Sequence, residues 1–208
     1  MEVVHNKIRS SCSRLNSRKE VWKVRRKSLQ RALVLVVERM KSRMPPKNRK
    51  YSDDFQTPGY AVKPLLPFLK KEWIIWECAC GRGNLVKAMK KEGFKVIGTD
   101  ILTGHDFLNW RPERFDCIVT NPPYSLRYEF IKRAYELGKP WAMLMTLTTL
   151  EGKRQKLFRE YGIQLLLLNK RINFEVPSGK GSGAWFPVAW FCWKLLPRDI
   201  MFGDVVRV

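Results

Sequence analysis

Apolar residues gather in this chain as short, nearly unbroken runs, set apart by stretches in which they recur every three or four positions. The runs fall at 73–76, 94–97, 115–119, 141–145, 163–168 and 185–193. Runs this short, without strict alternation, predict strands buried on both faces. The stretches 85–91, 128–137 and 150–161 predict helices, the last of them basic and amphipathic. Strands alternating with helices predict an α/β domain with a mostly parallel, doubly wound sheet. Any ligand then belongs beyond the carboxyl ends of the strands. No internal repeat interrupts this order.

The first fifty residues differ from the rest. They hold 16 Lys or Arg against 3 acids, so well over half of the chain's excess charge sits there. Between 17 and 43 an apolar stripe (Val21, Trp22, Val24, Leu29, Leu33, Val36, Val37, Met40) with basic residues between its members predicts a helix, ended by Met44-Pro45-Pro46. The chain therefore divides into a basic N-terminal arm, 1–50, and a main domain, 51–208. The arm reads either as a helix packing its stripe on the main domain or as an arm contacting phosphates. A third reading starts the protein at Met40 or Met44 and makes the segment dispensable.

Composition narrows the partners. A chain of 208 residues, 45% hydrophobic and 12% aromatic, has room for one α/β domain with a full core and a short appendage. Its 40 Lys and Arg against 19 Asp and Glu leave a net charge of +21, which points to a polyanionic partner, nucleic acid before an anionic surface. Five scattered cysteines without a CxxC pair, and two histidines, argue against a metal site and a disulfide framework. They fit a reducing, cytoplasmic-type compartment. No apolar run approaches the ~18 residues that span a bilayer, and 33–37 is too short for a signal-peptide core.

Three strand ends carry candidate chemistry. The first is Glu77-Cys78-Ala79-Cys80-Gly81-Arg82-Gly83-Asn84. Its glycines let the backbone turn sharply and a ligand come close. It lacks the third glycine of the dinucleotide fingerprint and the spacing of a Walker loop. The second strand ends at Asp100, about 20 residues further on, where a carboxylate can accept from ribose hydroxyls; a helix N-cap would use the same residue type. The third ends in Thr120-Asn121-Pro122-Pro123-Tyr124. Pro122 has a fixed φ and no N–H, and Pro123 holds it extended. The Pro122 carbonyl thus has a set direction, with the Asn121 side-chain carbonyl beside it. Two acceptors and an aromatic face suit a planar group that carries an NH2. The plain alternative is a strand-ending turn with a surface tyrosine.

Outside these ends, Thr57-Pro58 reads as a helix start, with Thr capping and Pro at the first helical position. The stretch Ser178-Gly179-Lys180-Gly181-Ser182-Gly183 lacks the spacing of a phosphate loop and reads as a loop that meets a nucleic-acid backbone.

From about 51 to 193, the order Thr-Pro, Gly-x-Gly, strand-end Asp, Asp-Phe, Asn-Pro-Pro-Tyr resembles the S-adenosylmethionine-dependent amino-methyltransferases of the adenine-N6 type. The length is similar to the short forms carried by phages and mobile elements. The resemblance implies a Rossmann-like class I methyltransferase sheet with an antiparallel last strand, and S-adenosylmethionine as cofactor. The implied activity is methylation of the exocyclic N6 amine of adenine in nucleic acid, DNA before RNA. Thr57 would lie against the methionine end of the cofactor. Glu77, Ala79, Gly81 and Gly83 would form the first motif, Asp100 would take the ribose, and Asp106 with Phe107 would hold the cofactor's adenine.

Asn121, Pro122 and Tyr124 map onto the family's catalytic residues. Tyr124 would stack on a base turned out of the duplex, and Phe174 would cover its other face. DNA-modifying members usually carry a separate target-recognition domain, for which the chain leaves no room after Asn121, so the expectation is a DNA enzyme of relaxed specificity, an RNA enzyme, or one that borrows recognition from a partner protein. The same tetrapeptide serves methylation of RNA adenine and of glutamine amides. A nucleic-acid-binding scaffold without activity is a different class, against which the intact glycines, acids and tetrapeptide weigh. Membrane-surface binding through 17–43 is the remaining alternative, and the stripe there has an ordinary core explanation.

Overall fold

The computed structural model describes residues 56–175 and 186–206. The basic arm at 1–50 and the Ser-Gly-Lys loop at 178–183 lie outside the described residues. In chain order the elements are β1 (Ile74–Glu77), α1 (Asn84–Lys91), β2 (Lys95–Gly98), β3 (Cys117–Thr120), α2 (Arg127–Leu137), β4 (Trp141–Thr146), α3 (Arg154–Tyr161), β5 (Gln164–Leu168), β6 (Val188–Trp193) and β7 (Ile200–Gly203). A ten-residue 3₁₀ helix, Gly59–Phe68, precedes them.

The strands form one sheet in the order β2-β1-β3-β4-β6-β5-β7. β6 runs antiparallel to both of its neighbours; the remaining pairs are parallel. After β1 the chain moves outward to β2, then returns to the other side of β1 to lay down β3. The strand order therefore reverses between β1 and β3, and a crevice opens beyond their carboxyl ends.

Both faces of the sheet are covered, which is why its central strands lack polar alternation. β3 and β4 are buried at every position. Ile75, Val119, Ala142, Leu144 and Trp190 share one core with Leu85 and Met89 of α1 and Ala61, Val62 and Leu65 of the 3₁₀ helix. Residues of the opposite parity meet aromatic partners on the other face: Trp141 packs edge-on against Tyr135 of α2, and Phe191 lies tilted against Phe158 of α3. α1 sets Leu85 and Met89 four residues apart on its buried side and ends in Lys90 and Lys91, cations that suit the negative end of the helix dipole.

This is the Rossmann-like, doubly wound arrangement that the resemblance implies, with three differences. The antiparallel strand is the final apolar run of the sequence reading, but β7 follows it and pairs parallel with β5 at the sheet edge. Only three apolar residues mark β7; Asn169 secures it, accepting from Val205 N–H at 2.9 Å and donating to Asp204 at 2.6 Å. Next, Thr57 caps no helix. Pro58 occupies the cap position without a side-chain bond, and the element is 3₁₀, not α, with Pro64 and Pro67 inside it. Prolines remove the donors an α-helix needs. Last, α3 begins at Arg154, after a separate 3₁₀ turn, Leu147–Leu150, where the sequence predicts one helix from 150.

Candidate active site

A cavity of about 360 Å³ lies at the reversal of strand order, within the range of small-molecule sites. It collects residues far apart in sequence: Thr57 from upstream, Glu77, Ala79 and Gly81 after β1, Asp100, Asp106 and Phe107 after β2, and Asn121 and Pro123 after β3. Eight of the predicted site residues thus share one cavity wall. Gly83, Pro122, Tyr124 and Phe174 are not part of it.

The glycine turn is built from both strand ends. Gly81 has φ +48°, a conformation that favours glycine. Its N–H donates to Asp100 Oδ2 at 2.9 Å. The other carboxylate oxygen of Asp100 accepts from Leu102 N–H at 3.0 Å, capping the 3₁₀ turn Ile101–Thr103. Asp100 therefore caps a turn, as the plainer reading has it, and also lines the cavity. The sequence reading missed Gln56. Its Oε1 accepts from Arg82 N–H at 2.9 Å, and its backbone pairs with Glu175. A Cβ added at Gly81 would stand 2.7 Å from Gln56 Oε1, so the Gln56 amide would have to move to admit a side chain that φ already disfavours. Gly83 has φ +76° with open space where a Cβ would stand and serves only the turn into α1.

Glu77 is 1% exposed. Its Oε1 accepts from Ala79 N–H at 3.2 Å. Burial pushes its carboxyl up to about 8, the Thr120 hydroxyl and the Ala79 N–H pull it down, and Asp100 adds to the rise. The cavity floor therefore holds a neutral acid near pH 7. The Cys78 thiol beside it is raised by burial and by Glu77, and Cys80 likewise, so neither thiol is a ready nucleophile.

Asp106 and Phe107 reach the cavity as a fixed turn. Asp106 accepts from Leu108 N–H at 3.0 Å and from the Asn109 amide at 2.7 Å. The Phe107 ring stacks on Phe130 with centroids 4.7 Å apart and tilts against Trp76, so much of its surface is core. More apolar surface faces the cavity from Ile101 and Leu102, 66% and 89% exposed. The apolar run that ends at Gly98 gives no hint of these two, because a strand, an acid and a turn explain the sequence without them.

At the end of β3, Asn121 lines the cavity with its Oδ1 buried and without a hydrogen-bond partner among the described residues. Pro122 is buried behind it, and Pro123 faces the cavity in its place. Tyr124 opens the 3₁₀ turn Tyr124–Leu126. Its ring meets Phe186 edge-on at 5.7 Å, with the Arg127 guanidinium 5.5 Å from its centroid. Phe174 is 3% exposed and belongs to the core below the sheet end. Among the described residues the ring that meets Tyr124 is Phe186, and Phe174 is buried instead of facing the base site.

No group of three or more His, Cys, Asp or Glu among the described residues could hold a metal ion, and no described helix is long and apolar enough to cross a membrane. No family model and no curated protein matches the chain. Among solved structures, it is similar to a TehB-like SAM-dependent methyltransferase from Corynebacterium glutamicum, with 14% identity over 80% of this chain and 100% of that one and a TM-score of 0.42. A dimethyladenosine transferase from Plasmodium falciparum shares 14% identity over 69% of this chain and 63% of that one, TM-score 0.41. A precorrin 8W decarboxylase from Methanobacterium thermoautotrophicum shares 13% over 73% and 100%, TM-score 0.44. Likeness at this level does not extend to chemistry, which rests on the chain's own residues.

Proposed function

We propose that the chain is an S-adenosylmethionine-dependent N-methyltransferase acting on the exocyclic N6 amine of adenine in nucleic acid, DNA before RNA. The observation that carries this reading is the Asn121 side chain. A buried carbonyl oxygen without a partner is costly, about 1–3 kcal/mol, and few persist without a reason. Here it stands at a ligand-sized cavity, in the sequence Asn-Pro-Pro-Tyr. An N–H donor from a substrate amine supplies what it lacks.

The cavity residues fit the cofactor. Ile101 and Leu102 offer apolar surface for an adenine ring, Asp100 and Asp106 offer carboxylates to a ribose and an exocyclic amine, and Thr57, Glu77 and Ala79 lie where an amino-acid portion would be held. When bound, S-adenosylmethionine supplies an electrophilic methyl group. The chain's part is to prepare the amine. An aromatic amine is a poor nucleophile because its lone pair is delocalised into the ring. Asn121 Oδ1 accepts one amine N–H; the Pro122 carbonyl, to which the resemblance gives the other, belongs to a residue outside the cavity lining, and two such acceptors would draw the nitrogen towards tetrahedral geometry and localise its lone pair. Both oxygens also stabilise the positive charge that nitrogen develops. Tyr124 supplies a stacking face for the base, worth about 1–3 kcal/mol. The net charge of +21 supports a nucleic-acid substrate over a protein amide.

The test is transfer of labelled methyl from S-adenosylmethionine to duplex DNA, single-stranded DNA and tRNA in parallel, followed by nucleoside analysis. N6-methyladenine in DNA is the expected product. Label only in RNA moves the substrate and keeps the chemistry. Cofactor binding without label on any nucleic acid overturns the nucleic-acid assignment and leaves a protein amide. A chain that shows no thermal shift with the cofactor is a scaffold without activity.

A further inference from the structure

Arg127 is the first residue of α2, with no side-chain cap before it. A cation there opposes the positive end of the helix dipole, so another interaction must account for its place. The guanidinium Nη1 donates to Thr146 Oγ1 at 2.7 Å and approaches Thr149 Oγ1 at 3.4 Å. Both threonines are buried, Thr146 as the last residue of β4 and Thr149 in the 3₁₀ turn that follows. The same guanidinium lies 5.5 Å from the centroid of the Tyr124 ring. From the other side, Arg154 donates to the Thr149 carbonyl at 2.8 Å and to the Thr148 carbonyl at 3.2 Å, and Thr146 Oγ1 bonds Thr148 Oγ1 at 2.7 Å. The turn after β4 is therefore pinned, and Arg127 is anchored to a rigid point.

We infer that Arg127 is a positioning residue: it ties the Tyr124 ring to the end of β4 and so fixes the aromatic that the amine reading assigns to the base. The role rests on the amine-methylation reading above. Arginine suits it because a planar fork can donate to the threonine hydroxyls while its face lies against a ring, which the point charge of lysine does not reproduce. The three residues come from the turn after β3, from α2 and from the end of β4, so the contact couples the two strand ends that flank the base site.

The full chain carries the test, with Arg127→Met, Arg127→Lys and Tyr124→Ala in all combinations. Arg127→Met is expected to lower kcat for methyl transfer about tenfold to a hundredfold, as a misplaced binding face does, with KM for the cofactor unchanged. Arg127→Lys should recover little of that loss. In the Tyr124→Ala chain the same substitutions should change kcat by no more than about twofold, because two residues that act through one contact are not additive. A full further loss in that background overturns the proposal. A second readout does not need activity. In ¹³C-tyrosine-labelled protein the Tyr124 ring signals, identified by their loss in Tyr124→Phe, should move in both Arg127 variants towards those of an exposed, averaging ring. Unmoved signals overturn the proposal. Moved signals in a chain that methylates no nucleic acid uphold the contact and reject the reading of the amine site instead.

Discussion

Gly81 N–H donates to Asp100 Oδ2 at 2.9 Å, which joins the turn after β1 to the carboxylate after β2 across the parallel β1–β2 pair. The two strand ends that form one wall of the cavity are thus held together by the residue proposed to take a ribose. Asp100 spends one oxygen on each turn, Gly81 on one side and Leu102 on the other, and still faces the cavity.

Asp100→Ala should therefore fail in two measurements at once. Loss of the cap should lower the unfolding free energy by about 0.5–2 kcal/mol, read by chemical denaturation. Loss of the ribose acceptor should weaken S-adenosylmethionine binding by about 1–3 kcal/mol, read by calorimetry. A stability loss with unchanged affinity would leave Asp100 as a strut of the turn alone.

Asn121→Ala should separate activity from stability. The amide oxygen has no partner among the described residues, so its removal takes away an unmet acceptor, not a bond, and the thermal midpoint should hold or rise. Turnover should fall about a hundredfold or more, the usual consequence of removing one preorganised group at a developing charge. Asn121→Asp keeps an acceptor oxygen and should retain more turnover than Asn121→Ala. A parallel fall of stability and turnover would assign Asn121 to the turn and not to the amine.

The strand ends were legible in the sequence because glycine, proline and acid residues act locally: they bend, stop or cap the chain wherever they stand. That is why Gly81, Asp100, Asp106 and Asn121 converge on one cavity as the strand pattern implies. What depended on distant partners was not legible. Gln56 matters because it fills the space where Gly81 lacks a Cβ, and only Gly81 hinted at a close neighbour. Phe174 and Phe186 are both aromatics beyond β5, and only the assembled fold buries Phe174 and sets Phe186 against Tyr124. β7 has three apolar residues and becomes a strand through its pairing with β5. Ile101 and Leu102 read as part of a turn, and their exposure at the cavity is a property of the assembled sheet.

Glu77 should make stability fall with rising pH. Its carboxyl is lifted from 4.5 to about 8, chiefly by burial. Between those values the folded chain keeps a proton that the unfolded chain has released. Stability is therefore fullest below pH 4.5, declines through the window by up to about 1.4 kcal/mol per pH unit, and levels off above pH 8. Glu77→Gln keeps an acceptor for Ala79 N–H and should flatten the curve over that window, read by denaturation at several pH values. A cationic ligand beside Glu77 favours the carboxylate, so affinity for S-adenosylmethionine should rise towards pH 8 in the parent chain and lose that dependence in Glu77→Gln. Burial and the neighbouring Asp100 carboxylate both oppose ionisation, which keeps the window high. A pH-independent parent would place the Glu77 carboxyl in water.

The two glycines of the turn should respond unequally to alanine. Both have positive φ, +48° at Gly81 and +76° at Gly83, and each substitution should cost about 1–2 kcal/mol for the left-handed backbone. At Gly83 nothing lies within reach of the new methyl, so that cost is the whole effect. At Gly81 the methyl would also collide with the Gln56 amide, 2.7 Å away, and push it off Arg82 N–H. Thermal midpoints should fall in the order parent, Gly83→Ala, Gly81→Ala. Gln56→Ala removes the collision but not the backbone strain, so combining it with Gly81→Ala should cost less than the sum of the two single substitutions, whereas Gln56→Ala with Gly83→Ala should be additive. Equal losses at the two glycines would mean that φ alone selects Gly81 and that the Gln56 contact yields without cost.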